Sequence, residues 1–153
     1  MKQIAVINGP NINILGLREP EIYGETSWEE IQIELENYAV DLGCSLIFYQ
    51  SNHEGNIVDF IQRNMDNVDA IIINPASFSK MGYSILDALN AHRLPYVEVH
   101  LSNIVNRGSW HAESIFTEDS IGCIFGFKSY VYILGLYALN NYLEEQKNEN
   151  ISN

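Results

Sequence analysis

Basic residues are scarce in this chain. Eight Lys and Arg stand against 20 Asp and Glu, which leaves a formal net charge of −12. That balance argues against a nucleic-acid partner, because phosphate backbones are gripped by clustered Lys and Arg. A small anionic ligand stays possible, since a few cationic or backbone donors in one pocket suffice. Only two cysteines occur, Cys44 and Cys123, far apart and in apolar surroundings. They read as buried reduced thiols rather than a disulfide. The four histidines, at 53, 92, 100 and 111, lack paired ligand spacing, so no metal centre is expected. A phosphate loop of the form G-x-x-x-x-G-K-S/T is missing, and Gly9 to Gly16 does not fit G-x-G-x-x-G. Without either, a nucleotide site has little support. No G-x-S-x-G element exists, and neither cysteine stands in a loop beside a base. The opening MKQIAVING is too short for a signal core or a membrane span, so a cytoplasmic protein is expected.

What the chain does have is alternation. Five apolar runs of strand length recur: QIAVIN (3–8), SLIFYQS (45–51), AIIIN (70–74), YVEVHLS (96–102) and IGCIFG (121–126). The first and third are nearly unbroken Ile, Val and Ala, as in parallel strands covered on both faces. Helical patterns separate them. In 27–42 the residues Trp28, Ile31, Leu35, Tyr38, Ala39 and Leu42 recur at three- and four-residue steps, and Ser27 with Glu30 reads as a capping box. Further helices are expected over 56–67, 80–92 and 128–146. The last carries apolar or aromatic residues almost all round, including Tyr130, Tyr132 and Tyr137. Such a helix should be buried, part of it against another subunit. One domain over 1–146 is expected, with a fraying polar tail at 147–153. The reading is α/β: a flavodoxin-like open sheet of five parallel strands in the order 2-1-3-4-5, helices on both faces, three layers.

In such sheets ligands bind beyond the carboxyl ends of the strands. Those ends are polar here. The first strand runs into NGPNINILGLREPEIYG, a loop with too much glycine, proline and polar residue for a helix, which carries Arg18 and Tyr23. The third ends in NPASFSK. On the fourth, Glu98 and His100 lie two apart and so share a face, with Ser102 next along the same stripe. A carboxylate there would fix the imidazole tautomer and support its protonated form. Each group also has a plain structural reading: a satisfied core histidine, one tyrosine of nine, a solvated Arg18–Glu19 pair. Together they point to acid–base chemistry. A phenol, with an ordinary pKa near ~10, serves as a base at neutral pH only beside cations. Arg18 is placed for that, and Arg107 is a second candidate.

These residues in this order resemble the type II dehydroquinases (3-dehydroquinate dehydratases). The resemblance rests on INGPNINILGLREPEIYG, QSNHEGNIVDFI, NP at 74–75 with DAL at 87–89, and EVHLSN at 98–103. It implies a dodecamer built from trimers, working without metal, cofactor or Schiff-base lysine. The implied reaction is anti elimination of water from 3-dehydroquinate, a small anionic cyclic hydroxy-ketone of the shikimate pathway. By resemblance, Tyr23 is the base, Arg18 its electrostatic support, and Asn11 a holder of the water at the enolate. His100, oriented by Glu98, is the acid. Asn74, Leu101 and Ser102 hold the carboxylate, and Asp87 reaches a neighbouring subunit's site. Two substrate contacts depart from the pattern: Lys80 stands where the family has histidine, and His111 where it has arginine. Leu86 also replaces a common arginine. Two other readings therefore remain, a paralogue acting on a related cyclic hydroxy-ketone and a non-catalytic binding protein on the same scaffold.

Overall fold

The computed structural model describes residues 1–152, apart from the side chain of Ser109. In chain order, the elements are β1 (Lys2–Asn8), the helical turn α1 (Pro20–Tyr23), α2 (Trp28–Asp41), β2 (Cys44–Gln50), α3 (Glu54–Asn64) and β3 (Ala70–Asn74). They continue as α4 (Tyr83–Ala91), β4 (Tyr96–His100), α5 (Ser109–Ala112), β5 (Gly122–Phe125) and α6 (Tyr130–Ile151). The five strands form one parallel sheet in the order β2-β1-β3-β4-β5, the order expected.

Alternating side chains of the central strands enter two separate cores. Ile4, Val6, Ile72, Val97 and Val99 pack with Trp28, Ile31 and Leu35 of α2 and with Val131, Leu136 and Leu139 of α6. Ala5, Ile7, Ile71 and Ile73 pack on the other face with Ile57 and Ile61 of α3 and Ile85 and Leu89 of α4. Burial on both faces is why β3 reads as an uninterrupted apolar run. The capping box forms as expected: Ser27 Oγ accepts from the Glu30 amide at 3.2 Å, and Glu30 Oε2 accepts from the Ser27 amide at 2.8 Å. A cap of this kind is worth about 1 kcal/mol.

Several expectations are corrected. The first loop is not wholly irregular: Ile12–Ile14 forms a 3₁₀ turn, and Pro20 opens the four-residue turn α1 with its preset φ. α4 starts at Tyr83 rather than 80, because Ala76–Lys80 is a separate 3₁₀ turn entered through Ala76 at φ 50°. β4 ends at His100, so Ser102 lies past the strand and not on its stripe. α6 continues beyond 146 to Ile151, since no glycine or proline interrupts that stretch. Asn153 of the polar tail lies outside the described residues. Within the single chain α6 buries Val131, Ile133, Leu136 and Leu139, and the expected subunit-facing part carries Tyr130 and Tyr137, exposed at 48% and 45%. Among the described residues no helix is long and apolar enough to cross a membrane. Both cysteines are free, Cys44 buried and Cys123 only half-buried.

Candidate active site

Asn8 and Asn74 end neighbouring strands side by side, paired in register. Between them sits the hydroxyl of Tyr132, fully buried on α6. It donates to Asn8 Oδ1 at 2.7 Å and accepts from Asn74 Nδ2 at 2.9 Å. Asn74 Oδ1 accepts from the Ala76 amide, which turns the chain into the 3₁₀ segment ending at Lys80. Gly9 follows Asn8 and touches this turn so closely that an added Cβ would stand 2.2 Å from the Pro75 carbonyl oxygen. No other residue fits there. Gln50, at the end of β2, donates to the Gly9 carbonyl, and Asn52 accepts from the Asn11 amide at 3.0 Å. These contacts fix where the first loop leaves the sheet.

That loop brings Arg18 onto Tyr23. Arg18 Nη2 donates to the phenol oxygen at 3.2 Å, and its guanidinium carbon lies 4.3 Å from the ring centroid. Arg18 also pairs with Glu19 at 3.5 Å, so the plain structural reading and the chemical one both hold. Arg107 approaches the same ring at 5.2 Å and donates to Ser102 Oγ at 3.1 Å. A negative charge on the Tyr23 oxygen would thus meet the Arg18 guanidinium directly, with the Arg107 guanidinium over the same ring.

The imidazole is held from behind. His100 Nε2 meets Glu98 Oε1 at 2.6 Å, and the Thr117 hydroxyl donates to Glu98 Oε2 at 2.5 Å. Burial alone would push the Glu98 carboxyl up, but hydrogen bonding and charge from His100, with the Ser114 and Thr117 hydroxyls, outweigh it and hold the group below its ordinary value. An ionised Glu98 fixes the proton of His100 on Nε2 and leaves Nδ1 as the nitrogen free to face a ligand. Cys123 lies across from Glu98 on β5, and ligand atoms of Glu98, His100 and Cys123 fall within 4.8 Å of one another. The carboxylate oxygens are already engaged by His100 and Thr117. Burial, then the Glu98 charge, pushes the Cys123 thiol up to about 12, which keeps it protonated. The three groups are thus accounted for as a hydrogen-bonded cluster behind the site.

Tyr23 and His100 open onto one cavity of about 190 Å³. Asn11, Arg18, Asn74, Lys80, Leu101, Ser102 and His111 line it too, so nine of the eleven expected site residues converge. Glu98 stands behind His100. Asp87 is exposed on α4 and lines no part of this cavity. Lys80 Nζ and His111 Nδ1 are both buried without a hydrogen-bond partner. Reading from sequence missed Thr117, for which no local signal exists, and Tyr132, whose hydroxyl is hidden in an apolar helix pattern. Trp110, its ring centroid 3.5 Å from that of His111, was also missed.

Residues 2–140 match the family described as dehydroquinase class II. A 3-dehydroquinate dehydratase of Prochlorococcus marinus is 46% identical over 144 residues, covering 94% of this chain and 99% of that protein. A 3-dehydroquinate dehydratase of Carboxydothermus hydrogenoformans is 45% identical over 150 residues, covering 98% and 97%. The crystal structure of type II dehydroquinase from Butyrivibrio crossotus superposes with a TM-score of 0.87 at 38% identity, covering 91% of this chain and 97% of that one.

Proposed function

The chain belongs to the class II dehydroquinase family, and on that premise we propose that it is a 3-dehydroquinate dehydratase, forming 3-dehydroshikimate by elimination of water. The observation that carries the reading is the shared cavity of Tyr23 and His100. Tyr23, as phenolate, takes the proton alpha to the ketone. The electron pair moves to the carbonyl oxygen, giving an enolate that Asn11 supports through a held water. When the enolate collapses, the bond to the beta hydroxyl breaks, and His100, entering as the imidazolium that the Glu98 carboxylate supports through Nε2–H, gives its Nδ1 proton to that oxygen, which leaves as water. Base and acid on one cavity, with donors for the developing oxyanion, are what such an elimination requires. Arg18 supports the phenolate, and Glu98 keeps the imidazole oriented. Asn74, the Leu101 and Ser102 amides and the Ser102 hydroxyl receive the substrate carboxylate. Lys80 and His111 serve the hydroxyl side of the ring.

The working unit in this proposal is the domain 1–146, cytoplasmic and assembled as a homo-oligomer, twelve subunits by family resemblance. The exposed Tyr130 and Tyr137 of α6 and the outlying Asp87 are surfaces that another subunit would cover. The test is purified protein with 3-dehydroquinate, followed by ultraviolet absorbance of the conjugated enone. Sustained turnover is the expected result; a flat trace would overturn the assignment. The unpartnered Lys80 and His111 favour a second reading, a paralogue acting on a related cyclic hydroxy-ketone. Turnover of such an analogue in place of 3-dehydroquinate would establish it.

A further inference from the structure

Arg18, Lys80 and Arg107 are three of only eight Lys and Arg in the chain, and all three line a single cavity that no Asp or Glu lines. In a protein of net charge −12, that concentration sets the cavity apart from its surroundings. Two of the cations are occupied: Arg18 bonds the Tyr23 oxygen, and Arg107 bonds Ser102. Lys80 is not. Its Nζ is buried and unpaired, and so is Nδ1 of His111. Leaving such atoms without partners is costly in a fold, and a ligand that bonds them removes the cost.

The chemistry of that ligand follows from the donors. An ammonium offers three N–H groups and accepts nothing, so the ligand must bring acceptor oxygens. Burial lowers the Lys80 pKa, and the Glu113 and Glu98 charges only partly oppose this. A counter-charge entering the cavity would restore the charged form. Burial, then the Arg107 charge, lower His111 as well, against a hydrogen bond to the Arg107 backbone that raises it, and its Nδ1 stays unpaired beside Lys80 in the lining of the same cavity. A ring hydroxyl supplies an acceptor but no charge, and a ring amine would add a fourth cation.

We propose that Lys80 and His111 form a subsite for a second anionic group, so that this cavity binds ring carboxylates carrying a further carboxylate more tightly than those carrying a hydroxyl there. The inference rests on the reading that the ring substrate occupies this cavity, and it extends the ligands of that site to dianions.

Calorimetric titration of the full chain with a matched pair tests it: 3-hydroxycyclohexanecarboxylate and cis-cyclohexane-1,3-dicarboxylate. The dicarboxylate should bind about tenfold more tightly, the difference between a neutral and a charge-assisted hydrogen bond. Lys80→Met should abolish that preference, while Lys80→Arg and Tyr23→Phe should keep it. Equal affinities in the parent protein, or a preference that survives Lys80→Met, would overturn the proposal. Because these readings involve no turnover, they stand or fall separately from the dehydratase assay.

Discussion

The Arg18 guanidinium donates to the Tyr23 oxygen and lies over the Tyr23 ring, though the two residues are only five apart in one loop. The contact needs the Pro20–Tyr23 turn, which brings the phenol back toward the arginine. Tyr23→Phe keeps the ring and its cation–π contacts while removing the oxygen. The expected outcome is a fall in kcat of about 10²–10⁴, the range for a positioned proton-transfer group, with an unchanged melting temperature. Enone absorbance and a thermal melt check both parts.

Glu98→Gln tests the support behind His100. The neutral amide no longer dictates where the His100 proton sits, so kcat should fall by about 10²–10⁴. A pH effect follows as well. The fold holds the Glu98 carboxyl below its ordinary value of 4.5, so its stabilising contribution is complete above that value and is lost as pH falls through the depressed one. Acid unfolding of the parent protein should accordingly be steeper than that of Glu98→Gln, as measured by circular dichroism below pH 5.

Tyr132→Phe leaves buried polar groups on Asn8 and Asn74 without their partner. The expected cost is about 1–3 kcal/mol, read from denaturant unfolding. Because Asn74 lines the cavity, KM for 3-dehydroquinate should rise as well. A merely structural loss would lower the melting temperature and leave KM alone.

The two thiols should be inert in the folded protein. Burial raises Cys44 above its ordinary 9.0, and Cys123 reaches about 12. At pH 8 a thiol reagent should label native Cys123 at least about a hundredfold more slowly than the unfolded chain, since the thiolate is the reactive form. The raised value also sets a sign. Between pH 9 and about 12 the unfolded thiol releases its proton while the folded one does not, so stability declines through that window. Cys123→Ser should flatten part of the decline.

Much of this architecture is legible in local pattern. Strand alternation, the Ser27–Glu30 cap and the run of Ile71 to Ile73 each depend on neighbours in sequence, and each appears where expected. The pairing of Glu98 with His100 is legible for the same reason, since two residues apart on a strand share a face. Tyr132 bridging Asn8 and Asn74 is not, because a hydroxyl on an apolar helix gives no sign of what it will meet 58 residues away. α4 starts three residues later than its sequence pattern suggests because Ala76–Lys80 closes as a separate 3₁₀ turn, which that pattern does not separate from an α-helix. For α6, apolar periodicity shows that a face wants cover, not which molecule covers it.

His100 closes β4, a strand paired on both sides, whereas Lys80 and His111 sit on short turns outside the sheet. Substitutions at the latter two positions can therefore alter what the enzyme recognises while the His100 imidazole stays where it is. Divergence of ligand preference on this scaffold requires only changes at the periphery.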